Sequence, residues 1–240
     1  MRMIFIRHGD PDYVKDSLTE KGWREAKLLA ERVRKWEIED IYCSPLGRAK
    51  ATASCSLEKL GREATVYDWL QEFPAKVFRE DLGRMKVPWD LKPSYWTKEE
   101  AYYDKDLWTE ADLMKTAPVR EAYQTICEGI DGLLLKYGYE RKDAYYVRTH
   151  PEEDDQDKTI VFFCHLGVML AIIGHLIGAA APVLWHGFFV APTSVTVLAS
   201  EELNPGEAYF RCQVLGDTRH LYEGGEPISS SGFFTKPFQG

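Results

Sequence analysis

Short apolar runs, each too brief to be a helix, recur along this chain with longer amphipathic stretches between them. This alternation constrains the fold more than any other feature. Arg2–Ile6, Asp40–Cys43, Ala64–Tyr67 and Thr159–Cys164 read as strands, and the first and last are apolar enough to be buried on both faces. Between the first two, Trp23, Ala26, Ala30 and Val33 recur at helical spacing behind Thr19, a side chain suited to cap a helix. Leu46–Leu60 reads as a second helix, stopped by Gly61. A third is expected after Thr116 as its cap, with Pro118 in the first turn, Val119, Ala122, Ile126, Ile130 and Leu133 as its buried stripe, and Gly138 at its end. Strands alternating with helices imply an α/β fold: a three-layer sandwich with a mostly parallel sheet and helices on both faces.

Four segments break the pattern. Phe73–Lys115 is rich in Trp, Tyr, Lys and Glu with little apolar period, and reads as a helical or irregular excursion over the sheet. Of its rings, Trp89, Tyr95, Trp96, Tyr102, Tyr103 and Trp108, most are expected to pack the excursion onto the sheet and a few to line an entrance. Glu140–Lys158, with Glu152-Glu153-Asp154-Asp155 inside it, reads as a solvated loop. Ser194–Leu198 and Ala208–Val214 read as later strands, joined through Asn204-Pro205-Gly206. The Gly- and Ser-rich tail from Glu223 reads as loose, with Phe233 and Phe234 able to dock. With no internal repeat and no linker, residues 1–240 form one domain, carrying an insertion at about 73–115.

Gly167–Trp185 is nearly free of charge and long enough on paper to span a bilayer. His175, Pro182, its glycines and the lack of a flanking basic cluster favour a buried helix ending near Gly178, so no membrane partner is expected. A net charge of −8 argues against nucleic acid as a partner, although a local basic pocket can sit inside an acidic protein. The five cysteines, Cys43, Cys55, Cys127, Cys164 and Cys212, form no CxxC pair. Together with the lack of a secretory signal, they point to reduced thiols and a cytoplasmic location.

Ligands of open α/β sheets bind where strands end at their carboxyl side. Arg7-His8-Gly9 follows the first strand, Ser44–Arg48 the second and His165 the strand Thr159–Cys164, while Glu72 comes shortly after the third. That set suits phosphoryl transfer. An imidazole can attack phosphorus through one ring nitrogen while the other is held as a donor. Two arginines can clamp the phosphoryl oxygens, and a carboxyl group can protonate the leaving oxygen. A lone Arg-His-Gly triplet means little; the joint placement at strand ends gives it weight. No His/Cys cluster has zinc spacing, and no Walker loop or Gly-x-Ser-x-Gly elbow occurs, so neither metal nor organic cofactor is expected.

The segments Ile4–Gly9, Leu18–Gly22, Ile41–Ala49 with Thr52-Ala53, and Val161–His165 resemble the histidine phosphatase superfamily, the phosphoglycerate mutase-like proteins, in order and spacing. The likeness covers roughly residues 1–72 and 159–220. It implies that His8 becomes a phosphohistidine, that Arg7, Arg48, His165 and the backbone of Leu166 hold the phosphoryl group, and that Glu72 is the proton donor, with Asp68 and the more remote Glu80 as alternatives. His165-Leu166-Gly167 departs from the His-Gly-Gly or His-Gly-Asn of many members, and Asp10 and Asp12 read as turn formers or as supports for the arginines. The implied activity is hydrolysis of a small phosphomonoester by a histidine-dependent, acid-type phosphatase. A mutase is the first rival, disfavoured because Phe73–Phe78 lacks the polar segment of the family's mutases. A non-catalytic phospho-ligand binding module is the second, disfavoured by the intact set of Arg7, His8, Arg48 and His165. Sugar phosphates, nucleotide-related phosphates and phosphoproteins all fit as substrates.

Overall fold

Successive side chains of the first strand face opposite ways, and each side meets a different core. The computed structural model describes residues 1–151, 155 and 157–239. In β1 (Arg2–Arg7), Met3 and Phe5 join one buried cluster, and Ile4 and Ile6 the other. The first segments after β1 are a small hairpin, β2 (Pro11–Asp12) with β3 (Ser17–Leu18), then α1 (Glu20–Val33), β4 (Asp40–Cys43), α2 (Gly47–Leu60) and β5 (Thr65–Val66). The excursion holds a second hairpin, β6 (Val77–Arg79) with β7 (Arg84–Lys86), the single turn α3 (Pro93–Trp96) and several 3₁₀ turns. Next come α4 (Val119–Lys136), β8 (Tyr139–Lys142), β9 (Tyr145–Arg148), β10 (Thr159–Cys164), α5 (Leu166–Ile177), α6 (Ala181–Gly187), β11 (Val195–Asn204), β12 (Glu207–Asp217) and α7 (Arg219–Glu223).

The central sheet runs β5-β4-β10-β1-β11-β12-β9-β8. Its first four strands are parallel, and β11, β12, β9 and β8 extend it antiparallel. On one face Leu29 and Val33 of α1 and Ala49 and Ala53 of α2 pack on Ile4, Ile6, Val161 and Phe163. On the other, α4, α5 and the excursion pack on Phe5, Tyr42 and Phe162, with Phe5 and Phe162 stacked 4.7 Å apart. These are the three layers expected from the sequence.

Several local expectations change. Trp23 is 36% exposed; the stripe of α1 runs through Gly22, Ala26, Leu29, Ala30 and Val33 and includes the buried carboxyl of Glu25. Thr19 caps α1 through a hydrogen bond from the Gly22 N–H. Thr116 does not cap α4: Pro118 is the cap, because a proline disfavours the helical conformation in the residue before it, and Ala117 is extended. Glu140–Lys158 is not a loop throughout. Tyr139 and Tyr146 turn inward from β8 and β9, and Asp143 supplies the positive φ of 53° at their turn. Asp155 is buried against Arg148 and Tyr139, so it is no solvated acid; Glu152, Glu153 and Asp154 lie outside the described residues. The tail is seated rather than loose: Ser229 is buried, and Glu226 pairs with Lys21 and Arg24 on α1. Gly167–Trp185 divides into α5 and α6 at Gly178, which has φ +73°. Among the described residues no helix is long and apolar enough to cross a membrane.

Candidate active site

The register of the parallel strands decides which residues meet. Arg7 pairs with Cys164, and Cys43 with Phe163, so His8, His165 and Ser44 emerge side by side at one rim of the sheet. The His8 N–H donates to the Cys164 carbonyl and the Ser44 N–H to that of Phe163, which locks the three strand ends together. The His8 and His165 rings lie 5.1 Å apart, both buried. Below them Thr193, held at φ 58°, turns its N–H toward the carbonyls of Arg7 and His8. A non-glycine residue in that region is costly, and here it closes the end of β1.

Each ring has a fixed orientation. His8 Nδ1 lies 2.8 Å from the Gly9 carbonyl, which can only accept, so Nδ1 carries the proton and the lone pair falls on Nε2. Burial, with the Arg7 guanidinium beside it, pushes the His8 pKa well below the ordinary 6.5, and the ring is neutral. His165 is lowered likewise, by burial first and then by His8 and the two arginines. Its Nε2 is 2.7 Å from Ser44 Oγ, while its buried Nδ1 has no partner.

The arginines are held from behind. Arg7 Nη1 donates to the Val190 carbonyl at 2.7 Å, and its guanidinium lies 5.3 Å from the centre of the Phe189 ring. Arg48 is anchored by Asp16, whose carboxylate also accepts the Gly47 N–H at 2.6 Å. Thr52 Oγ1 accepts from the Gly9 N–H and donates to the Arg48 carbonyl, tying the His8 loop to α2. Arg7 Nε and Arg48 Nε are buried without a partner, like His165 Nδ1. Buried donors are nearly always satisfied, so three unpaired groups around one histidine mark a place for an anion.

Glu72 Oε1 accepts from the N–H groups of Phe73 and Val168, at 2.9 and 3.1 Å. Burial raises its pKa above the usual carboxyl value, although those two N–H groups and the Arg7 charge pull the other way. Glu72, Arg7, Arg48 and Leu166 line a cleft of about 820 Å³, while His8 and His165 are buried and do not themselves line it. Asp68 is exposed and away from this lining, and Glu80 borders a different cavity. Asp10 and Asp12 stay out of it too. Asp12 caps the turn at Val14 and Lys15, and Asp10 accepts from Thr19 and Ser229.

Reasoning from sequence missed Ser44 as partner of His165, Asp16 as anchor of Arg48, and the seating of the tail through Ser229 and Glu226, although it allowed Phe233 and Phe234 to dock. Gly232, at φ +87°, passes so close to Arg7 that a side chain there would start 3.3 Å from Nη2. Phe233 and Phe234 line the cleft, and Phe233 packs on Phe189. Of the excursion's rings, Tyr102 and Trp108 are buried in the main core, Trp89 and Trp96 line the cleft, and Tyr95 and Tyr103 are largely exposed. Among the described residues no group of three or more His, Cys, Asp or Glu side chains is placed to hold a metal ion.

The model of the histidine phosphatase superfamily, branch 1, matches residues 3–103. Over that segment the chain is similar to the histidine phosphatase superfamily. It is 26% identical over 196 residues to an adenosylcobalamin/alpha-ribazole phosphatase of Salmonella typhi, covering 78% of this chain and 84% of that protein. It is 25% identical over 235 residues to a probable phosphatase of Schizosaccharomyces pombe, covering 92% and 95%. In fold it matches a phosphoserine phosphatase of Entamoeba histolytica, solved as a mutant with phosphoserine, at a TM-score of 0.58 and 20% identity over 92% of this chain and 98% of that one. The two curated relatives and the solved structure are each named as phosphatases.

Proposed function

We propose that this chain is a histidine phosphatase that hydrolyses a small phosphomonoester through a phosphohistidine on His8. The carrying observation is the neutral His8 ring, with Nδ1–H tied to the Gly9 carbonyl and the Nε2 lone pair free, among unpaired donors of Arg7, Arg48 and His165. In the first step Nε2 bonds to phosphorus, the ester P–O bond breaks, and the Glu72 carboxyl gives its proton to the leaving oxygen. In the second, water attacks phosphorus, its proton passes to the Glu72 carboxylate, and the P–N bond breaks to release phosphate. Arg7, Arg48, His165 Nδ1 and the Leu166 N–H at the start of α5 take the charge on the phosphoryl oxygens.

Hydrolysis is favoured over mutase chemistry by the segment after Glu72. Phe73, Ala75 and Val77 are sunk in the main core and offer no polar grip for a second phosphoryl group. A pure binding role is disfavoured by the tautomer lock on His8, which a binder does not need. The free cysteines fit a cytoplasmic setting. Turnover of an aryl phosphate by the purified protein, and its loss in His8→Ala, tests the reading; equal turnover by both proteins refutes it. Incubation with phosphoglycerate should form no isomeric phosphoglycerate.

A further inference from the structure

Beyond its phosphate pole the cleft is built from rings. Trp96 lies face to face with His186, centres 4.6 Å apart and planes within 18°. Trp89 packs on Trp185 at 5.3 Å. Near Arg7, Phe189 and Phe233 form a third ring pair, the latter brought in by the tail. Phe188 and Phe234 also line this cleft while standing 43% and 82% exposed. Rings held in water at a cleft mouth gain most when another apolar surface covers them.

The same lining is poorly equipped for an anionic leaving group. His186 cannot act as a cation without breaking its own bonds: Nδ1 donates to the Pro182 carbonyl at 2.7 Å, and Nε2 accepts the Leu91 N–H at 3.2 Å. Lys92, at the rim, lies 3.4 Å from the Asp81 carboxylate. Asp90 adds a carboxyl to the same wall, its pKa raised by burial while Lys86, Arg79 and Arg7 pull the other way. Arg7 and Arg48 already serve the phosphate pole.

We infer that the leaving group is an alcohol that carries a planar aromatic ring and no carboxylate, the ring covered by Trp96 and by the tail residue Phe233. This rests on the phosphatase reading and adds the substrate class. The ring-lined outer cleft supplies apolar cover, and the Asp90 wall penalises phosphorylated hydroxy acids such as phosphoserine or phosphoglycerate.

The test compares naphthylethyl phosphate, ethyl phosphate and phosphoserine. All three leave phosphorus as primary alcohols, so differences in kcat/KM report mainly on binding of the leaving group. Naphthylethyl phosphate is expected to exceed ethyl phosphate about tenfold or more, and phosphoserine by a wider margin. Phe233→Ala and Trp96→Ala should each shrink the naphthylethyl-to-ethyl ratio several-fold. Phosphoserine equal to or better than naphthylethyl phosphate overturns the inference, as does a ratio unmoved by both substitutions. Calorimetry with naphthylpropyl phosphonate against propyl phosphonate reads the preference without turnover. Tight naphthyl binding with no hydrolysis of any ester overturns the phosphatase reading and upholds the ligand class. Hydrolysis with no aromatic preference upholds the phosphatase reading and overturns the ligand class.

Discussion

Glu72 and Glu25 are both carboxyl groups raised by burial, with different consequences. Glu72 must be protonated to assist the leaving oxygen, so activity should fall as pH rises through its raised pKa. His8 must be neutral, and because its pKa is depressed, the acid limb should lie well below pH 6.5. Glu72→Gln should remove the alkaline limb. It should cut kcat for alkyl phosphates about 10²- to 10³-fold and for nitrophenyl phosphate far less, since nitrophenolate leaves without a proton. Glu25 is fully buried in α1, takes the Asp10 N–H and is raised from 4.5 to about 7. A carboxyl raised in the folded state stabilises fully below its unfolded pKa, and that contribution is lost as pH climbs through the folded value. Stability relative to Glu25→Gln, which keeps an acceptor for Asp10, should therefore drop by about 3 kcal/mol between about pH 4 and about pH 8, as urea melts at each pH would show.

At the scale of elements, the β2–β3 hairpin is a clamp on the start of α2. Asp16 grips both the Gly47 N–H and the Arg48 guanidinium, and a Cβ at position 47 would fall 2.1 Å from the Asp16 carbonyl. Gly47→Ala should push the hairpin away, free Arg48 from its anchor and raise KM about tenfold, while circular dichroism stays native. An unchanged KM would show that Arg48 orients itself without the clamp. The sequence offered Arg48, because an arginine one step into a helix after a strand is visible as a pattern. Asp16 was hidden: its role depends on how a short hairpin folds back over α2. Ser44 was hidden in the same way, since only the β4–β10 register brings it to His165.

For the molecule as a whole, the parallel half of the sheet was legible because its strands are buried on both faces and read as apolar runs. The antiparallel extension was partly hidden. In β8 and β9 only alternate residues face inward, and charges fill the rest, so Glu140–Lys158 looked like loop. The tail looked loose apart from Phe233 and Phe234 because its hold on the body also comes from Ser229 and Glu226 meeting partners distant in sequence, Asp10, Lys21 and Arg24. Asp155 ties that extension together. Its carboxylate meets Arg148 at 3.2 Å and the Tyr139 hydroxyl, all three buried and far from the cleft. Asp155→Asn should cost about 2–4 kcal/mol, seen as a lower Tm with kcat retained.

The central claim concerns one nitrogen atom, and trapping tests it most directly. The protein is mixed with a ³²P-labelled phosphomonoester, quenched with alkali within the first turnover, and digested for mass spectrometry. A phosphoryl group on His8, stable to base, lost in acid and absent from His8→Ala, is the expected result. Full turnover with no label on His8, or with label on another residue, would contradict the account.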